Sequence, residues 1–324
     1  MESVASPFVL EQNFLIYRIK SIEISPSTPN PFSYLCRNMY HSVLSQDLPT
    51  PKLHQLLMSA VVPRPICFAS TIDAEGNPNL SPFSFFNIFG ANPPLLIFSP
   101  ARRGRDNTVK HSYENVKEVA EVVINIVNYA MVEQTSLSSS DYPKGVNEFT
   151  KAGFTMLPSD LVAPFRVAEA PVQMECKVLQ VIETGPNGGA GNLVLCEVIK
   201  THIKEELLNE KGLIDPFKLD PVSRLGGDWY GRAKEGLFEL PKPISSIGIG
   251  VDFFPQSVLH SDVLTGNDLG KLGSLETPPN SSEIDIQKDK FTPESSISEV
   301  HQLAKKLIEN HQVAQAAALL LAYH

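Results

Sequence analysis

The sequence contains few cysteines, and neither they nor the histidines are spaced as metal ligands. Its 324 residues include four cysteines, none in a CxxC pair, and eight histidines. This pattern argues against a disulfide framework and a zinc site, so we expect no metal. Most of the cysteines lie in apolar, strand-like runs, which is typical of buried thiols in a reducing compartment, and we expect a cytoplasmic protein. The cysteines are Cys36, Cys67, Cys176 and Cys196.

Long apolar runs and an excess of basic residues are also missing. No stretch has the ~20 apolar residues that a membrane-spanning helix needs, so we expect no membrane association. Acidic residues outnumber basic ones by 36 to 27, and the formal charge of −9 disfavours binding to nucleic acid. With 42% hydrophobic and 19% charged residues, the composition is that of a globular protein with one large domain or two ordinary ones.

Three strand-like runs lie between residues 65 and 98. Residues 65–72 are apolar, and residues 73–78 contain the Gly76 and Asn77 that favour a reversal of the chain. Residues 79–86 then form a second run, and residues 95–98 a third that is wholly apolar. The first two runs therefore predict a hairpin.

Polar side chains accompany the aromatic rings of these runs. In residues 79–86, strand alternation places two polar side chains on the same face as Phe83 and Phe85. Such a surface suits a flat heteroaromatic ligand with a polar rim. The polar side chains concerned are Ser70, Thr71, Asn79, Ser81, Ser84 and Ser99.

Three arginines follow the third run. Arg102, Arg103 and Arg105 flank a glycine that lets the backbone approach a ligand, and guanidinium groups match phosphate oxygens. Asp106 is suited to cap a helix over residues 108–117, whose free amides would add to an anion site. The alternative is an ordinary solvated surface turn. The neighbouring hydroxyls and rings favour a ligand with a phosphate tail.

The remaining sequence indicates strands more than alternating strands and helices. Residues 122–127 form a continuous apolar run, and residues 172–178 alternate as a half-buried strand does. The glycine-rich stretch 186–192 joins two strands and opens no helix, which disfavours a dinucleotide-binding fold. We therefore predict a mainly β fold, a closed or partly closed antiparallel β-barrel with flanking helices.

Several motifs together resemble the flavin reductase-like, FMN-binding split-barrel family. They extend over about residues 51–270, and their order and spacing make the resemblance fairly specific. One departure is at residues 106–108, where an asparagine separates the aspartate from a threonine that directly follows it in many relatives. In chain order, the similar segments are VPRPICFAST, NLSPFSFF, NPPLLIFS, RRGRDNT, VAEAPVQMECKV, RLGGDWY and LTGNDLG.

The resemblance implies a cofactor, an assembly and residue roles. Its members are usually homodimers that hold FMN at the subunit interface. For the ring and ribityl chain we nominate the six polar side chains above together with Arg64, a position that faces the cofactor in this family. For the phosphate we nominate Arg102, Arg103, Arg105, Asp106 and Thr108.

The loop of residues 215–232 has two interpretations. By resemblance it approaches the flavin or its nicotinamide partner, which makes Arg224 and Trp229 candidates for substrate binding. Alternatively, Trp229 anchors the loop to the barrel, as an isolated tryptophan beside glycines often does.

The function that this resemblance implies is an FMN-dependent oxidoreductase. We predict an NAD(P)H-dependent flavin reductase that passes electrons to free flavin or another acceptor. Because the flavin supplies the chemistry, no acid–base residue need stand out, and none does. The alternatives are an FMN-binding electron carrier or sensor without reductase activity, and a barrel without flavin that serves as an interaction scaffold.

The two ends of the chain lie outside the barrel segment. Residues 1–50 lack periodicity and read as a disordered extension, residues 51–254 as the barrel domain, and residues 255–296 as a Pro/Ser-rich arm or linker. Residues 297–324 show a heptad-like apolar pattern that starts at a capping box of Ser296 and Glu299, and this pattern predicts one amphipathic helix. That helix is expected to pack on the barrel or to pair with its copy in a dimer.

Overall fold

The computed structural model describes residues 40–240, 247–288 and 296–323. The chain divides into two compact units, Met1–Glu235 and Gly236–His324. The extension predicted over residues 1–50 lies mostly outside the described residues, and Cys36 lies outside them as well. The boundary between the units precedes the predicted one at residue 254, because Phe254 and Val258 pack into the core of the second unit.

The described strands all belong to the first unit. They are β1 (Arg64–Pro65), β2 (Cys67–Ile72), β3 (Pro78–Phe83), β4 (Phe86–Ala91), β5 (Pro94–Phe98), β6 (Glu121–Ile126), β7 (Met156–Leu157), β8 (Arg166–Val167), β9 (Val172–Glu183), β10 (Asn192–Ile203), β11 (Val222–Arg224) and β12 (Tyr230–Arg232).

The described α-helices are divided between the two units. They are α1 (Thr50–Ala60), α2 (His111–Glu118), α3 (Val132–Leu137), α4 (Glu148–Ala152), α5 (Pro216–Leu219), α6 (Gln256–Leu259), α7 (Gly266–Gly273), α8 (Ser281–Lys288), α9 (Ile297–Glu309) and α10 (Val313–Ala322).

A seven-stranded antiparallel sheet forms the body of the first unit, in the order β3-β2-β6-β9-β10-β5-β4. Its two edge strands, β3 and β4, are joined by Ser84 and Phe85 alone, so the sheet must curl until its edges approach each other. The rings of Phe83 on β3 and Phe98 on β5 pack with centroids 5.5 Å apart. The predicted barrel with flanking helices is confirmed, and it is split between β3 and β4.

Alternation along the strands creates two apolar cores in this unit. Cys67 and Ala69 of β2 face one core, which β5, β6, β9 and β10 complete. Phe68, between them, faces the other core together with Leu80 of β3 and Phe149 of α4. Helices α3 and α4 therefore cover the outer face of β2 and β3.

Strand β4 has no counterpart among the predicted strands. Ile88 and Phe89 are neighbours in it and both are exposed, so the strand lacks the alternation of one buried and one exposed face. Its register with β5 shifts between Ile88 and Gly90, where a Cβ would come within 3.0 Å of the Pro93 carbonyl oxygen. The strand is thus defined by its pairing and not by its sequence pattern.

The described part of the second unit is helical, and two predictions for it are wrong. Residues 255–296 are not an extended arm, since α6, α7 and α8 lie there. The helix predicted over residues 297–324 is two helices, α9 and α10, which are interrupted at His311, where φ is 61°. The capping box of Ser296 and Glu299 at the start of α9 is confirmed. Folding back lets both helices bury their apolar faces in one core.

Candidate functional site

A cleft of about 460 Å³ opens beside the β3–β4 connection of the first unit. Its size is within the ~300–1,000 Å³ of typical small-molecule sites. Ile66, Pro82 and Phe83 give it an apolar wall, and hydroxyl groups dominate its polar lining. The polar side chains include Ser84, Thr135, Ser136, Ser139, Arg224 and Asp228.

Arg64 is a buried residue that holds together the segments beside this cleft. Its guanidinium donates to the carbonyl oxygens of Met58, Val61 (2.7 Å) and Leu225 (2.9 Å), and its Nε lies 3.4 Å from Oγ of Ser84. Only 5% of the residue is exposed, and this burial lowers the pKa of the guanidinium. Arg64 therefore holds the end of α1 and the β11–β12 connection beside the cleft, and it does not itself line the cleft.

The β11–β12 hairpin brings Arg224, but not Trp229, to the cleft. Arg224 donates through Nη2 to the Gly227 carbonyl at 2.8 Å, and its guanidinium lies 4.5 Å from the centroid of the Tyr230 ring. Trp229 is 76% exposed at the tip of the hairpin, so it does not anchor the loop to the barrel. Its indole lies next in sequence to Asp228, which does line the cleft.

Asp141 forms ion pairs with two of the loop arginines and with a lysine. Its Oδ1 accepts from Arg103 at 3.2 Å and from Lys110 at 3.4 Å, and its Oδ2 accepts from Arg105 at 2.6 Å. Burial opposes ionisation of Asp141, but the hydrogen bond from Arg105 and the charge of Lys110 outweigh it and lower the pKa. We call Arg103, Arg105, Lys110 and Asp141 the cationic cluster.

The rest of the arginine loop is held by its own turn. Arg102 donates to the side chain and the carbonyl of Asn107, each at 2.8 Å. Asp106 accepts from the hydroxyl and the amide of Thr108, and these bonds lower its pKa to about 2. Because this turn ends before α2 begins at His111, the predicted role of Asp106 as helix N-cap is wrong.

The cationic cluster lies near the cleft. Ser139 lines the cleft and Asp141 belongs to the cluster, and two residues of extended chain span at most about 7 Å. The loop arginines are not among the described residues that line the cleft. The site thus has a hydroxyl-lined cavity and a positively charged neighbour.

Thr71 and Asn79 lie in a buried polar network of the barrel. Asn79 donates to Oγ of Ser112 at 2.8 Å and lies 3.4 Å from Oγ1 of Thr71, which also accepts from Asn115 at 3.1 Å. All four residues are buried. Their hydrogen bonds join β2 and β3 to α2, which is a structural role.

The remaining nominated hydroxyls are also placed away from the cleft, except for Ser84. Oγ of Ser99 accepts from the amide of Asn192 at 3.1 Å. The Ser70 hydroxyl is buried and has no hydrogen-bond partner among the described residues. Ser81 is partly exposed but does not line the cleft. Of the six polar side chains nominated from the strands, the structure brings Ser84 alone into the cleft.

Three cleft hydroxyls have no counterpart among the nominated residues. Thr135 and Ser136 lie on α3 and Ser139 follows it, so one short segment supplies all three. The run TSLSSS at residues 135–140 is the sequence signal that points to them. Asp141 follows this run directly.

One cluster outside the cleft has the composition of a metal site. Oxygen or nitrogen atoms of Asp160, Glu175 and His202 lie within 4.8 Å of one another. However, the Glu175 carboxylate already accepts from the amides of Asp160 and Leu161 and contacts His202 at 2.7 Å, while Asp160 pairs with Lys200 at 2.5 Å. These internal partners identify the cluster as a structural network.

Three of the cysteines are buried, unpaired thiols, as predicted. Cys67, Cys176 and Cys196 lie in the barrel core. Burial raises their pKa, for Cys176 to about 12. The thiols are therefore not nucleophiles at neutral pH.

Comparison with known proteins links this geometry to flavoproteins. Residues 58–217 match the model of the flavin reductase like domain. An uncharacterized protein of Halalkalibacterium halodurans is 38% identical over 195 residues, which are 60% of this chain and 92% of that protein.

Two solved structures are similar along most of their length. Nitrilotriacetate monooxygenase component B from Bacillus cereus is 31% identical with a TM-score of 0.59, covering 63% of this chain and all of that one. A protein from Shewanella frigidimarina, named a flavin reductase with a split-barrel domain, is 27% identical with a TM-score of 0.53, covering 61% and 96%. Both likenesses fall on the barrel fold described above. Separately, no helix in the described ranges is both long and apolar enough to span a bilayer.

Proposed function

The chain belongs to the family of flavin reductase-like domains, and on that premise we propose that it is an FMN-binding oxidoreductase, an NAD(P)H-dependent flavin reductase. Of the two solved relatives described above, one is named a flavin reductase and the other a component of a monooxygenase. Membership in the family supports a flavin-related oxidoreductase. The nicotinamide donor and the choice of FMN are our proposal.

The observation that carries the proposal is the cleft with the cationic cluster near it. A flavin mononucleotide has a flat, largely apolar ring system with a polar rim, and a phosphate dianion at the end of a flexible chain. The apolar wall formed by Ile66, Pro82 and Phe83 suits the ring, and the hydroxyls opposite can pair with its rim. The donor set of the cluster suits the phosphate.

The residues present therefore fit the group. We assign the ring to the cleft hydroxyls of Ser84, Thr135, Ser136 and Ser139, and the phosphate to Arg103, Arg105 and Lys110. Arg102 and Thr108 hold the conformation of the loop through their bonds to Asn107 and Asp106. Of the residues nominated from sequence, Arg64 holds the segments beside the cleft, while Thr71, Asn79 and Ser99 hold the barrel together away from it.

FMN supplies the two-electron chemistry when it is bound, and the protein binds and orients it. The hydroxyl donors and the guanidinium of Arg224 face the cleft, where they would stabilise negative charge on a reduced ring. The proposed reaction requires no general acid or base among the side chains of the cleft, because the flavin supplies the chemistry.

We place the nicotinamide donor at the β11–β12 hairpin. The exposed indole of Trp229 offers an aromatic face, and Arg224, which lines the cleft, offers a cation for a phosphate of the dinucleotide. These are the two residues that the sequence nominates for substrate binding.

A homodimer is part of the proposal. Helix α1 has no buried residue and exposes Leu56 and Leu57, while Ile88 and Phe89 of β4 are each more than 60% exposed. The His54 and Phe85 rings lie 6.1 Å apart, so the two apolar surfaces adjoin. Monomeric proteins rarely expose contiguous surfaces of this kind.

Analytical ultracentrifugation tests the proposed homodimer. Sedimentation should give twice the chain mass, and a monomer at micromolar concentration would refute the proposed homodimer.

We also propose a cytoplasmic location. The buried, unpaired thiols of the barrel suit a reducing compartment. Fractionation of cells that express the tagged chain should recover it with cytoplasmic markers, and recovery in an oxidising compartment would refute the assignment.

The test of the function is the absorption spectrum of the purified protein with FMN. We expect an oxidised flavin spectrum that bleaches when NADH or NADPH is added without oxygen. A flavin spectrum that neither nucleotide bleaches would favour the electron carrier or sensor. Failure to bind added FMN would leave only an interaction scaffold.

A further inference from the structure

Asp141 occupies the position in the cationic cluster that a phosphate would take. Its two carboxylate oxygens accept from Arg103, Arg105 and Lys110, at 3.2, 2.6 and 3.4 Å. Carboxylates and phosphate monoesters present similar oxygen pairs to a guanidinium fork, so the same donors serve both. The carboxylate is 38% exposed, which leaves it accessible from solvent.

Asp141 lowers the net positive charge of the cationic cluster. In the cationic cluster, three cations, those of Arg103, Arg105 and Lys110, face the carboxylate of Asp141, which leaves a net charge of +2. Neutralising Asp141 would raise it to +3. The Asp141 carboxylate lies 2.6–3.4 Å from each of the three cations, so the cluster attracts a dianion less with Asp141 than it would without it.

Arg103 and Arg105 keep other partners when Asp141 is removed. Nη1 of Arg103 donates to Oγ1 of Thr108 at 2.9 Å and to the Val109 carbonyl at 2.5 Å. Nε of Arg105 lies 3.2 Å from the Asp106 carboxylate. The fork of Arg103 therefore stays oriented, and Asp141 acts as an acceptor that fills the cluster and not as its organiser.

We propose that Asp141 is an internal competitor for the flavin phosphate and that it reduces the preference of the site for phosphorylated flavin over riboflavin. This inference rests on the proposed function, because it assumes that flavin nucleotides bind at the cleft. Binding of FMN requires the donors of the cluster to exchange the Asp141 carboxylate for phosphate oxygens. Riboflavin has no phosphate and does not depend on that exchange.

The experiment measures dissociation constants of FMN and riboflavin for the full-length wild type and Asp141→Asn, by fluorescence titration at low ionic strength. Removing one charge about 6 Å from a dianion should strengthen FMN binding roughly 10-fold in a water-like dielectric. Riboflavin affinity should not change. The gain for FMN should shrink as salt is added, since screening reduces the repulsion that has been removed.

Asp160→Asn is the matched control. Asp160 is a carboxylate of similar side-chain exposure, 45%, that pairs with Lys200 and Arg166 away from the arginine loop. The Asp160→Asn substitution removes the same charge from the chain as Asp141→Asn does. FMN affinity of this control should stay at the wild-type value. Thermal melts of both variants check that the fold is retained.

Three results would overturn the proposal: FMN affinity of Asp141→Asn equal to or below that of the wild type, an equal gain for riboflavin, or an equal gain in Asp160→Asn. If the wild type binds FMN and Asp141→Asn binds it no better, the role of Asp141 fails and the proposed function stands. If the wild type binds neither flavin, the proposed function fails, and this inference fails with it.

Discussion

Arginine side chains have two different uses in this protein. Arg64 is almost fully buried and donates to backbone carbonyls from two separate segments, so it ties those segments together. Arg105 is exposed and Arg103 is half-buried, with a carboxylate between them, so their charge is only partly compensated. Arg64 therefore has a structural role, whereas Arg103 and Arg105 are cations that a ligand can reach.

Replacing Arg64 by alanine should destabilise the first unit. The carbonyls of Met58, Val61 and Leu225 would lose their charged donor, and a hydrogen bond to a charged group contributes about 1.5–3 kcal/mol. We expect the free energy of unfolding to fall by about 3 kcal/mol, measured by urea denaturation.

Arg105→Ala is the control for this experiment, because Arg105 is exposed and its ion pairs are of the surface type. Such pairs contribute at most about 1 kcal/mol. Equal stability of Arg64→Ala and Arg105→Ala would contradict the structural role of Arg64.

The sequence identifies the arginines but not their acceptors. A guanidinium beside a strand end looks the same whether it faces a ligand or a carbonyl, because the partners of Arg64 are up to 161 positions away in the chain. The cleft hydroxyls of Thr135, Ser136 and Ser139 are similarly visible as a run, but only the fold brings them into one cleft with Ser84.

Among the secondary-structure elements, α4 protects an edge of the sheet. Strand β3 pairs with β2 on one side only, and the amide of Leu80 on its free side donates to Oε2 of Glu148 at 3.0 Å. Glu148 is 4% exposed, and burial raises the pKa of its carboxyl. A free sheet edge invites pairing with another chain, and α4 covers this one.

Glu148→Gln should alter the pH dependence of stability. The pKa of Glu148 is raised by folding, so its stabilising contribution is complete below about pH 4.3, the unfolded value, and is lost as pH rises through the folded pKa. Glutamine keeps an acceptor oxygen for Leu80 and has no charge to bury. We therefore expect the variant to gain stability relative to wild type as pH rises from 4 to 7, measured by urea denaturation.

The exposed Glu114→Gln provides the comparison, since the Glu114 side chain is 39% exposed and lies 4.0 Å from Lys144. It should show no such gain with pH. A Glu148→Gln variant whose stability relative to wild type does not change between pH 4 and 7 would contradict this account.

How well an element can be predicted from sequence depends on whether it buries one face. β6 lies within one residue of the predicted range 122–127, and β9 begins at the predicted residue 172. β4 exposes adjacent apolar residues, and α7 contains three glycines that disfavour a helix, yet Leu272 in α7 is fully buried. For such elements, tertiary packing outweighs the local preference.

At the scale of the whole molecule, the family match and the added helices fall in different units. The match to residues 58–217 lies within the first unit, and the helices α6 to α10 lie in the second, which has its own core around Leu272 and Leu319. The proposed function is therefore a statement about the first unit. Length and composition allowed two domains, but the polar character of residues 255–296 concealed the second.

The most direct test of the central claim is a crystal structure of the protein with FMN. We predict that the ring lies in the cleft beside Ser84 and Ser139 and that phosphate oxygens lie within hydrogen-bond distance of Arg103 and Arg105. FMN bound elsewhere, or bound in the cleft with its phosphate in solvent and these arginines still paired with Asp141, would contradict the account.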